Sequence, residues 1–161
     1  MKKEQAYCID TSAVIDLWRR LYPRDVFPSL WENIEKLIQE EVIIAPKEVL
    51  KELEKEEDEL YKWAKKYKDM FMNLDEGQID KVKDIQGKFP KLVDVSKTIP
   101  EADPFVIALA LVNKITVISM EKSSNIRLNK NAKPKLPDVC IEYKVKCIQL
   151  LEFFREQNWN F

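Results

Sequence analysis

Four acids stand where chemistry could be done: Asp10, Glu52, Asp103 and Glu121. Asp10 ends the apolar run Tyr7-Cys8-Ile9 and precedes Thr11-Ser12, which open an amphipathic stretch. It therefore marks a strand-to-helix junction, the edge of an open α/β sheet where ligands bind. Glu121 holds the same kind of position after Ile115-Thr116-Val117-Ile118-Ser119. Asp103 precedes Pro104 at the first turn of the most apolar helix in the chain. Glu52 borders the apolar stripe of a third helix; Glu48 lies one turn earlier but farther from the stripe, so helix geometry mildly prefers Glu52. Plainer roles exist, because Asp10 and Asp103, like Thr11 and Ser12, are all acceptable helix caps. Focused on one point, four carboxylates would repel strongly in a partly buried site. A divalent cation relieves that repulsion, and oxygen donors without His or Cys select Mg²⁺ or Mn²⁺.

Composition removes the competing chemistries. The 161 residues include no His, which excludes Ser-His-Asp and Cys-His catalysis and His-ligated zinc. Only Gly77 and Gly87 occur, neither in a phosphate-cradling loop, which argues against Rossmann and P-loop nucleotide binding. Cys8, Cys140 and Cys147 are odd in number and lack metal-ligand spacing. Cys8 and Cys147 lie in apolar strand-like runs, which reads as buried reduced thiols, in keeping with a cytoplasmic protein. A net charge of −1 provides no global attraction for nucleic acid, so any basic binding surface must be local. No apolar run approaches the ~20 residues of a membrane span, and Met1-Lys2-Lys3 followed by Glu4-Gln5 is no signal peptide. The length and a hydrophobic content of 45% fit a single domain, residues 1–161.

The elements that must position the acids follow from periodicity. Short apolar runs at Tyr7–Ile9, Val42–Ala45, Ile115–Ser119 and Val145–Ile148 predict about four buried parallel strands. Between them the pattern predicts helices over 10–22, 29–38, 46–69 (one helix, or a pair broken near Glu57-Asp58), 75–89, 101–112, 139–143 and 150–156. Ser29 reads as the cap of the second, with Glu32 at the capping-box position. Residues 54–100 form a helical insert ending in a connecting stretch, 90–100. A basic loop, 122–136, carries Lys122, Arg127, Lys130, Lys133 and Lys135 with no acid from 122 to 135. Strands alternating with helices give an α/β/α sandwich with right-handed crossovers.

The segments Ile9-Asp10-Thr11-Ser12, Glu52-Leu53, Ala102-Asp103-Pro104-Phe105-Val106-Ile107-Ala108-Leu109-Ala110 and Val117-Ile118-Ser119-Met120-Glu121 resemble the PIN-domain family of nucleases in order and spacing. In detail, with its charged helical insert and Pro137-Asp138-Val139-Cys140, the chain is similar to a subgroup related to the ribonuclease toxins of toxin–antitoxin pairs. The resemblance implies a single PIN-like domain and a Mg²⁺- or Mn²⁺-dependent endoribonuclease. It implies Asp10, Glu52, Asp103 and Glu121 as metal ligands, with Ser12 supporting the first acid and Asp138 as a further acid or, equally, a helix cap. It also implies an antitoxin partner and a homodimer. Ser12 departs from the Asn common in the toxin branch. Glu121 departs from the more usual Asp, one methylene longer.

Other classes of function stay in view. One is a catalytically weak or inactive PIN-like module that binds RNA or a protein partner. A phosphatase of the haloacid-dehalogenase kind needs a second acid two residues after Asp10, and Ser12 stands there. A partner-binding protein could use Trp31, Trp63 and Trp159 as exposed contacts, although core packing explains most tryptophans better.

Overall fold

Strand β1 (Tyr7–Ile9), buried at every position, runs between β2 (Ile43–Pro46) and β4 (Thr116–Ile118) and is parallel to both. β3 (Phe71–Met72) flanks β2, and β5 (Cys147–Ile148) flanks β4. In this computed structural model the sheet is thus wholly parallel, with five strands in the order β3-β2-β1-β4-β5. The structure describes residues 5–94, 96–98, 101–126 and 128–161; the first four residues, the end of the 90–100 connection and Arg127 of the basic loop lie outside them.

Helices flank the sheet. α1 (Thr11–Ile15) runs on into a wider π turn (Asp16–Leu21), closed by the Tyr22 N–H on the Leu17 carbonyl at 3.2 Å. It is followed by α2 (Pro28–Gln39), α3 (Lys47–Glu54), α4 (Glu59–Lys66) and α5 (Glu76–Lys88). α6 (Asp103–Asn113), α7 (Leu136–Glu142) and α8 (Leu150–Glu156) complete the set. The third helical stretch is the broken pair: Glu57 turns left-handed at φ 45°, and Asp58 caps α4 by accepting the Tyr61 N–H at 3.1 Å. Glycine being so scarce, left-handed turns after α2, α6, α7 and α8 also fall to ordinary residues, Glu41, Lys114, Lys144 and Asn158. Each costs ~1–2 kcal/mol of backbone strain that the surrounding packing must offset.

α6 is the pivot. Val106, Ile107, Ala108, Leu109 and Ala110 are all buried, and the helix lies against β1, β2, β4 and α5. A helix apolar all round belongs in a core. Its C-terminus feeds β4 through Lys114 and Ile115 alone, so its N-terminus, carrying Asp103, lies at the opposite edge, where the strands end.

Two expectations fail for physical reasons. A fifth strand, β3, sits inside the stretch 54–100 read as helical, because two residues are too few to show a period. Ser29 does not cap α2: the helix begins at Pro28, whose fixed φ suits a first turn, and no side chain caps it. Trp31 and Trp63 follow the core-packing reading rather than the contact one, being 1% and 5% exposed. Their rings meet edge to face at 5.2 Å, with Trp18 against both, binding the first helix, α2 and α4 together. Among the described residues no helix is long and apolar enough to cross a membrane.

Candidate functional site

β1 delivers Asp10 to the sheet edge, and β4 fixes it there: the Asp10 N–H donates to the Ile118 carbonyl at 3.0 Å. The carboxylate then caps α1 by accepting the Ala13 N–H at 2.9 Å, so the plain capping role is real. It does not end there. Ser12 Oγ donates at 2.8 Å and Ser119 Oγ at 2.6 Å, and Ser12 Oγ in turn accepts the Met120 N–H at 3.0 Å. Ser119 Oγ accepts the Glu121 N–H at 3.1 Å. The ends of β1 and β4 are thus tied by two hydroxyls around one acid, and Thr11, whose hydroxyl has no partner among the described residues, caps nothing there.

Asp10 is 2% exposed, and burial pushes its pKa up to about 7 against the pull of the Ser119, Ala13 and Ser12 bonds, with Glu121 adding repulsion. Asp103, in the first turn of α6, is held higher still, at about 8, by desolvation and by the charges of Glu121, Asp10, Glu52 and Glu101. Among the described residues no donor reaches its carboxylate. Two acids that resist ionisation side by side are an arrangement found at functional sites, where burial and like charges are set against each other.

The two glutamates are each engaged once. Glu52 Oε1 accepts the Ala102 N–H at 2.6 Å, joining α3 to the start of α6. Glu121 Oε2 accepts the Leu136 N–H at 3.0 Å, joining the end of β4 to the start of α7. Asp10, Ser12, Glu52, Asp103 and Glu121 all line one cleft of about 350 Å³. Asp138 does not join them. It borders a separate depression, and its carboxylate accepts from Ser123 Oγ, the Ser124 N–H at 3.1 Å, Ser124 Oγ at 2.9 Å and the Lys135 N–H at 2.8 Å. Those bonds hold it below the usual carboxylate range although burial pushes the other way. Its oxygens are spent on the loop.

Two participants escape the sequence reading. Ser119 gave a faint signal, a hydroxyl at the end of a largely apolar run. Glu101 also lines the cleft, where it pairs with Lys97 and accepts the Asp94 N–H at 3.1 Å. The donor set of carboxylates and hydroxyls fits a hard divalent cation in kind. As the side chains stand, however, no group of three or more acids or cysteines among the described residues is arranged to hold a metal ion.

Comparison with known proteins places the chain in a family. No curated protein matches the sequence. A solved structure, that of VapBC2 from Rickettsia felis bound to a DNA fragment from their promoter, is similar with a TM-score of 0.49 at 13% identity. That likeness covers 89% of this chain and 98% of the other. Residues 7–161 match the family described as a domain of unknown function, DUF4411, and the chain belongs to it.

Proposed function

We propose that this chain is a PIN-like, Mg²⁺- or Mn²⁺-dependent endoribonuclease acting in the cytoplasm as one domain, the toxin of a toxin–antitoxin pair. One observation carries the proposal: four acids from four separate elements line a single cleft at the C-terminal edge of a parallel sheet. Asp10 is the central ligand and Asp103 stands beside it; Glu52 and Glu121 complete the set, each leaving one oxygen without a hydrogen bond among the described residues. Ser12 and Ser119 orient the Asp10 carboxylate and favour its ionised form. When bound, the ion supplies charge for the phosphate oxygens and acidity for an attacking water. An antitoxin would cover the acidic cleft, and a homodimer is part of the same proposal.

The alternative is a weak or inactive module that binds RNA or a protein partner. It is favoured by the side chains as they stand, since no group of three or more acids among the described residues is arranged to hold a metal ion. Cleavage of a mixed RNA pool in Mn²⁺, together with Mn²⁺ binding by calorimetry, separates the two. Wild type is expected to cleave and Asp103→Asn to lose at least a hundredfold, about 2.7 kcal/mol of barrier. Equal cleavage by the two proteins sinks the assignment, and Mn²⁺ binding without cleavage selects the alternative.

A further inference from the structure

The cleft sorts its charges by depth. Asp10 on its floor is buried and Glu52, Asp103 and Glu121 are partly so, whereas Lys55, Lys97, Lys133 and Lys135, which also line it, are all exposed. The lysines come from three places in the chain: the end of α3, the connection before α6, and the loop between β4 and α7. The loop's contribution has a visible construction. Lys133 and Lys135 are exposed while the alternate residues Pro134 and Leu136 are buried, so an extended strip anchors one face in the core and turns the other outward.

Two acids fasten that strip by bridging opposite ends of the loop. Glu121, at its start, accepts the Leu136 N–H at its end. Asp138, just past its end, accepts from Ser123 and Ser124 at its start and from the Lys135 N–H at 2.8 Å. A buried carboxylate that takes four donors from two segments is a strong clamp, because losing it strands several polar groups at once.

We propose that the exposed lysines form a rim that grips the phosphate backbone of single-stranded RNA above the acidic floor, and that Asp138 is the positioning residue that holds Lys133 and Lys135 in it. This rests on the nuclease reading for the identity of the polymer. An acidic floor repels polyphosphate, so a basic rim is what brings the chain to the acids. The grip is electrostatic and independent of sequence, as the absence of aromatic residues between these lysines requires.

The experiment is fluorescence anisotropy of a labelled single-stranded RNA in EDTA over a KCl series. It uses wild type, the double variant Lys133→Gln/Lys135→Gln, its Arg counterpart and Asp138→Asn. Each phosphate contact contributes about 0.7 to the log–log salt slope for a single strand. The Gln pair should therefore flatten the slope by about 1.4, the Arg pair should restore it, and Asp138→Asn should move it towards the Gln pair. In Mn²⁺, Asp138→Asn should raise KM severalfold and change kcat less than twofold. Unchanged slopes, no RNA binding by wild type, or a fall in kcat at constant KM for Asp138→Asn overturns the proposal. Should Asp138→Asn not fold, Ser123→Ala/Ser124→Ala removes two of the four bonds, those from the hydroxyls, and is expected to shift the slope and KM in the same direction. Binding is read without metal, so a wild type that grips RNA but never cleaves it refutes the nuclease reading and leaves the rim standing.

Discussion

Replacing Asp103 by Asn should make the metal-free protein more stable at alkaline pH while removing its activity. Asp103 is raised from 3.8 to about 8, first by desolvation and then by Glu121, Asp10, Glu52 and Glu101. Folding therefore keeps a proton on it that the unfolded chain releases near pH 4. The native state binds more protons between about pH 4 and pH 8, so stability falls as pH rises through that window and levels off above it. Each pH unit of displacement is worth about 1.4 kcal/mol, which sets a ceiling of about 5–6 kcal/mol. The cleft is open to water and Asp103 is only partly buried, and screening reduces the figure to about 2–3 kcal/mol. Asn is isosteric and sacrifices no hydrogen bond among the described residues. Urea unfolding followed by tryptophan fluorescence in EDTA should show Asp103→Asn more stable by that amount at pH 8.5, with the gap closing towards pH 4. Adding Mn²⁺ should reverse the order, because a cation binds the ionised wild type better. If the variant is no more stable than wild type at pH 8.5, the crowding of like charges in the cleft is not what the structure implies.

Two further perturbations probe the surroundings. Ser119→Ala removes a bond that favours ionised Asp10, so the acid limb of the cleavage profile should move up by about one pH unit; an unmoved limb would mean that Ser119 does not act on Asp10. Trp31→Ala deletes a 1% exposed indole whose N–H donates to the Tyr22 carbonyl at 2.7 Å. It should cost about 3–5 kcal/mol, and a loss under about 1 kcal/mol in the same unfolding assay would contradict the ring packing seen here.

The parts of this protein legible from its residues are those where one physical preference acts alone. β1, β2 and β4 are unbroken apolar runs, and the Glu57-Asp58 break is a turn followed by a capping acid, so both sit where pattern reading puts them. Reading fails where two preferences compete. Ser29 is a good cap, but Pro28 is a better first residue, and the helix starts one turn position earlier than the hydroxyl suggests. Thr11 and Ser12 are equally good caps, yet Asp10 takes that role and Ser12 turns to Asp10 instead. For the candidate site, the strand ends place Asp10 and Glu121 at one edge, but their company depends on contacts across the whole chain. Ser119 matters through a partner 109 residues away, and no local window contains both.

That separation also says when the fold can close. Tyr7 is paired with Ile43 on one side and Thr116 on the other, so β1, the earliest of the five strands in the chain, is the central one and cannot be flanked on its second side until β4 has been made. At translation speeds of about 5–20 residues per second, β1 waits several seconds for β4. Until then Asp10 lacks the Ile118 carbonyl and the Ser119 hydroxyl, and α6 has no completed sheet to lie upon. Pairing at such sequence distance places the chain among slow folders. An unfinished chain consequently holds all of Asp10, Glu52 and Asp103 while still lacking the frame that brings them to one cleft.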